Sequence, residues 1–183
     1  HGVNPALALA DLLQLAERLT QPNSSRPDFT LVTPVYATLG ERAYGVSAGA
    51  GEVHFTIRCW SREMMEQLAG DLLHLTETIV RNHGLEYDTE WTNIFYANFN
   101  DADAVNVIRE AALDNGLLHL ERREPLKWGE DFGAFSQRFK GAMFGLGAGE
   151  ETPALHNPDY DFPDELIETG VRLFRRIAER VLE

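Results

Sequence analysis

The sequence predicts an α/β protein assembled from two mixed α and β pieces, and three observations carry that expectation. Apolar residues fall three and four apart in several long stretches, as amphipathic helices require. Residues 51–60 instead alternate, with Val53, Phe55, Ile57 and Cys59 between Glu52, His54, Thr56 and Arg58, the pattern of a strand with one wet face. Composition then changes near Asn98-Phe99-Asn100-Asp101, which sets a domain boundary between residues 1–98 and 99–183.

The first element is a helix over residues 5–20. Asn4 is a good N-cap, Pro5 suits the first helical position, and Leu9, Leu12, Leu13, Ala16 and Leu19 recur at helical spacing. The turn-rich segment from Gln21 to Asp28 ends it, and two extended runs follow at residues 29–39 and 51–60. Ser61 caps a long helix whose Met65, Leu68, Leu72, Leu75 and Ile79 form one stripe, and His83-Gly84 stops it. A further alternating run, Leu85, Tyr87, Thr89 and Trp91, predicts another strand. Helix, strand, strand, helix, strand is a ferredoxin-like βαββαβ unit without its first strand, so a strand is expected before His1.

Beyond the boundary, Asp101 or Asp103 caps a helix that ends at Asn115-Gly116. Residues 117–122 predict a short strand, and the acidic turn Trp128-Gly129-Glu130-Asp131-Phe132-Gly133 leads into a short helix reaching Phe139. Residues 142–147 predict a buried strand. The last helix opens at Pro163 and carries Leu166, Ile167, Gly170, Leu173, Phe174, Ile177 and Val181 on one stripe.

Composition excludes several classes of function. With 44% hydrophobic and 25% charged residues in 183, the chain is globular. Sixteen Lys and Arg against 29 Asp and Glu leave a net charge of −13, which repels nucleic acid and anionic membrane surfaces. A single cysteine, Cys59, forms no internal disulfide and no thiolate zinc cluster, which fits a reducing, cytoplasmic setting. No apolar run approaches the roughly 20 residues that span a bilayer. The chain starts without an initiator methionine or a secretory pattern and reads as part of a longer polypeptide.

Among the polar residues, His156 follows the flexible loop Gly147-Ala148-Gly149-Glu150-Glu151-Thr152-Pro153 and precedes Asn157-Pro158, an expected strand-end rim where catalytic groups sit. An ordinary surface histidine is the alternative. Arg58 lies on the polar face of its strand, where its planar fork suits a carboxylate; the alternative is a surface ion pair. Glu130 and Asp131, between glycines, sit where the backbone can approach a ligand closely, or simply cap the following helix. His54, His74, His83 and His119 have no ligand spacing and are expected to be structural or exposed.

Four separated pieces, Trp128-Gly129-Glu130-Asp131-Phe132, Phe144-Gly145-Leu146-Gly147, Leu155-His156-Asn157-Pro158-Asp159-Tyr160-Asp161-Phe162, and Asp164-Glu165-Leu166 with Gly170, resemble the C-terminal end of the zinc-dependent amidohydrolases and peptidases. That family includes aminoacylases, carboxypeptidase G, hippurate hydrolase and the indole-acetyl-amino-acid hydrolases. Gly2-Val3-Asn4-Pro5, Gly40-Glu41-Arg42-Ala43-Tyr44-Gly45-Val46 and Phe55-Thr56-Ile57-Arg58 resemble its lid, or dimerisation, domain. The resemblance implies a lid without its first strand in residues 1–98 and the end of an α/β catalytic domain in 99–183. It makes His156 a metal ligand and Arg58 a clamp for a substrate carboxylate. It further implies zinc, two ions in the parent or another divalent metal, a small N-acyl amino acid or peptide-like substrate, and a homodimer formed through the lid. Gly45 stands where many relatives carry asparagine, so one polar substrate contact differs.

The family's other metal ligands, its carboxylate base and its lid histidine are not in the sequence, so no catalytic residue is assigned here and one metal ligand is. Three readings follow. The chain is part of a metal-dependent amidohydrolase and inactive alone, or a non-catalytic dimerisation or ligand-binding module of that descent, or an unrelated α+β binding protein with His156 in its core.

Overall fold

The computed structural model describes residues 2–122 and 124–183; the opening His1 lies outside them. The fold is mixed α/β, with two strands and five α-helices among the described residues. Two compact units form, one from residues 2–97 with 124–129, the other from residues 98–122 with 130–183.

The first unit opens with α1 (Ala6–Ala16), extended by a 3-10 turn over Glu17–Leu19. Asn4 Oδ1 accepts from the Ala6 N–H at 2.9 Å and so satisfies one of the donors that a helix start leaves free. Strands β1 (Thr30–Leu39) and β2 (Gly51–Cys59) pair antiparallel, from Thr30 opposite Cys59 to Leu39 opposite Gly51. The register shifts between Pro34 and Tyr36, where proline has no N–H to give the ladder. The alternation in β2 holds: Val53, Phe55 and Ile57 pack towards the core, while Glu52, His54 and Arg58 are exposed.

Against that inner face lies α2 (Arg62–His83). Ser61 Oγ accepts from the Met64 N–H at 3.2 Å, and Gly84 closes the helix with φ 66°, which favours glycine. Ala8, Leu12 and Ala16 of α1 meet Leu68, Leu72 and Ile79 of α2 over Val32. Each fully buried Leu or Ile contributes about 2 kcal/mol.

In the second unit, α3 (Ala102–Asp114) is capped by Asp101, whose Oδ1 accepts from the N–H groups of Asp103 and Ala104 at 3.0 and 3.1 Å. Then come the single turn α4 (Gly133–Ser136) and the terminal α5 (Glu165–Leu182). Ala111, Ala112 and Leu173 form the α3–α5 core, with Phe144 and Ile177 packed beside it. Across the same helix pair, Arg176 and Arg180 bridge to Asp114, and Arg180 also to Glu110. Part of the predicted α5 stripe is open: Ile167 and Phe174 are exposed and line an apolar groove of about 520 Å³ with Leu146 and Phe162.

Three expected strands do not form. The alternating run from Leu85 to Trp91 and residues 117–122 are irregular, and so are residues 142–147, which are half-buried or exposed instead of buried. A strand needs a neighbour for its ladder. At Met143 that role falls to a side chain: Asn100 Nδ2 donates to the Met143 carbonyl at 2.8 Å and Asn100 Oδ1 accepts from its N–H at 2.9 Å. Leu85 retains its apolar contact with the first core although its segment is not a strand.

Candidate functional site

The four residues singled out from the sequence fall in both units, and each is exposed. Arg58 belongs to the first. It sits one residue before the end of β2, opposite Leu31, with its side chain on the wet face. Its Nη1 donates to the main-chain carbonyl of Lys127 at 3.1 Å. No acidic partner pairs with it among the described residues, so the surface ion pair weighed for Arg58 is not formed. Lys127 was not foreseen, and no side-chain pattern announces a backbone acceptor.

Next to Arg58, Cys59 Sγ donates to the Ser61 carbonyl at 3.2 Å. Burial pushes the thiol above its ordinary range, which keeps it protonated and a poor nucleophile at neutral pH.

Glu130 and Asp131 belong to the second unit. Neither side chain caps α4, whose N-terminal position is Phe132, although the Asp131 carbonyl accepts from the Ala134 N–H at 2.9 Å. Capping therefore does not account for the two acids.

His156 is built into two successive turns. The Asn157 N–H donates to the Ala154 carbonyl at 3.0 Å, and the Tyr160 N–H donates to the Asn157 carbonyl at 3.0 Å, with Pro158 second in the second turn. His156 takes the third position of the first turn with φ 73°, the left-handed region that a type II turn normally fills with glycine. The imidazole is exposed. It therefore does not lie in a core, the placement that an unrelated binding protein would have given it. No group of three or more His, Cys, Asp or Glu is disposed to hold a metal ion among the described residues, so these residues do not assemble a metal centre by themselves.

His54 lies 2.6 Å from Glu52 and edge-on to Tyr36, His83 lies 2.9 Å from Asp11, and His74 is exposed on α2.

The sequence pattern of peptidase family M20/M25/M40 matches residues 2–180 of this chain. The chain belongs to that family. An N-acetyldiaminopimelate deacetylase of Anoxybacillus flavithermus is 27% identical over 175 residues, 93% of this chain and 44% of that protein. One of Bacillus licheniformis is 25% identical over 178 residues, 94% of this chain and 47% of that protein. This M20 chain thus spans about half the length of the curated relatives it matches. Its fold is shared with the Bacillus subtilis YXEP protein, a dinuclear metal binding peptidase from the M20 family, at a TM-score of 0.75 and 19% identity over 98% of this chain and 47% of that one. An amidase of the hydantoinase/carbamoylase family from Burkholderia vietnamiensis follows, at a TM-score of 0.67 and 17% identity over 98% of this chain and 42% of that one. Among the described residues no helix is long and apolar enough to cross a membrane.

Proposed function

We propose that this chain is the lid and C-terminal part of a metal-dependent amidohydrolase that cleaves the amide bond of N-acyl amino acids or similar small substrates. The observation that carries the proposal is the turn at His156, where a histidine holds a backbone conformation suited to glycine while its imidazole faces solvent. Such an arrangement has no packing benefit, and non-glycine residues in this region concentrate at functional sites. Family membership and the deacetylase names of the relatives support the same reading.

His156 supplies one metal ligand in this reading. The metal is zinc, as a pair of ions, or another divalent cation; when bound it supplies a hydroxide nucleophile and a Lewis acid at the scissile carbonyl. Arg58 grips the substrate carboxylate with the planar fork of its guanidinium. Glu130 and Asp131 line the substrate loop or support a metal ligand. The lid, residues 1–98, joins two copies as a homodimer, and the single cysteine with the acidic surface suits the cytoplasm.

In the complete gene product, His156→Ala is expected to lower bound zinc, read by elemental analysis, together with amidase activity. Arg58→Ala should raise KM about tenfold or more, as loss of a charge-assisted bidentate contact does. Full zinc occupancy and unchanged KM would overturn the assignment. The 183-residue chain alone is expected to be inactive. A complete gene product that binds N-acyl amino acids without turnover would instead favour a non-catalytic binding module of the same descent.

A further inference from the structure

We infer that residues 127–129 are a positioning element for Arg58, holding its guanidinium in one orientation before a substrate carboxylate arrives. This rests on the proposed role of Arg58 as the carboxylate clamp. An exposed arginine on a strand samples many rotamers, and fixing them on binding opposes affinity. A partner that fixes the side chain beforehand removes that opposition.

The geometry supplies such a partner. Arg58 Nη1 donates to the Lys127 carbonyl, while Nε and Nη2 have no partner among the described residues. That leaves one edge of the fork, with two parallel N–H groups, for a carboxylate.

The carbonyl is itself held. Lys127 Nζ lies 5.6 Å from the centroid of the Phe29 ring, within cation–π range. Phe29 is 1% exposed and stacks on Trp60 with centroids 4.5 Å apart, so Lys127 rests on a packed aromatic pair. Two residues on, Gly129 lies against Phe95: a Cβ added there would come 2.4 Å from Phe95 Cδ2 and 3.0 Å from Cγ. A methyl there would have to displace the ring or the segment, a conflict that glycine avoids. Side chain, carbonyl and α-carbon of one short segment thus meet three separate stretches of the first unit: Phe29 just before β1, Arg58 in β2, and Phe95 in the irregular run after α2. Arg58 is at the centre contact.

The test uses the complete gene product with N-acetyl-L-alanine and N-acetyl-L-alanine amide, which differ in the carboxylate alone. Gly129→Ala should drive its methyl into the Phe95 ring, shift the segment and free Arg58. KM for the acid is then expected to rise about 3- to 10-fold, the range for immobilising one long side chain, with kcat within about twofold and the amide unaffected. The double variant Phe95→Ala/Gly129→Ala, which makes room for the methyl, should return KM towards its starting value. Lys127→Met, at an exposed position, should raise KM in the same direction without threatening the fold.

A readout independent of turnover is the Arg58 Nε–Hε resonance by NMR: restricted in the parent, averaged in Gly129→Ala and Lys127→Met. If Gly129→Ala does not fold, Lys127→Met and the resonance decide. If Arg58→Ala fails to distinguish acid from amide, the clamp role falls. If Arg58→Ala distinguishes them while neither segment variant moves KM or the resonance, the clamp stands and the positioning role is overturned.

Discussion

At residue scale, His156 holds φ at 73° with its side chain in solvent. A β-carbon in this region costs about 1 kcal/mol that glycine avoids. His156→Gly and His156→Ala both remove the imidazole, yet the glycine variant is expected to be more stable than the alanine variant by about 1 kcal/mol in urea denaturation. Equal midpoints would remove the strain from the account. The turn was partly legible in the sequence, since Asn157-Pro158 signals a bend. The left-handed backbone at His156 was not, because glycine or asparagine is its usual mark. Arg58 was placed on the wet face by strand alternation alone, but its acceptor is a main-chain carbonyl 69 positions away, which carries no residue signature.

At the scale of elements, α3 and α5 are joined by charge as well as by Ala111, Ala112 and Leu173. Arg176 and then Arg180 hold the Asp114 carboxyl below its usual range. A depressed folded-state pKa gives stability that is present above the unfolded value and lost as pH falls through the folded one. The α3–α5 pair should therefore lose protection as pH drops below about 4, the ordinary range for aspartate. Asp114→Asn should flatten that dependence, and hydrogen exchange at pH 6 and pH 3 would show it; equal losses in both proteins would exclude the linkage. Helices were the legible elements because their ends are written locally, in Ser61 and Gly84 or in Asp101. Strands were legible only in part. Alternation tells which face of an extended run is wet, yet says nothing of whether a second backbone lies beside it. Residues 29–39 and 51–60 had each other, whereas Met143 found the amide of Asn100.

On the scale of the molecule, the two units differ in how much apolar surface they bury. Seven buried residues form the first core and three the second, among the described residues. Amides around Leu68, Leu72 and Ile79 are expected to exchange more slowly with solvent than those around Ala111 and Leu173, since protection follows the local density of buried contacts. Equal protection in both would show that the two units open together. Residues 124–129 bear on another matter. They follow α3 in the chain but seat Lys127 on Phe29 and Gly129 on Phe95, in the first unit. Recombination between relatives would feel this: a chimera exchanged at Ala97 would set a foreign Phe29, Arg58 and Phe95 against a native Lys127 and Gly129, so a compatible exchange carries both stretches together.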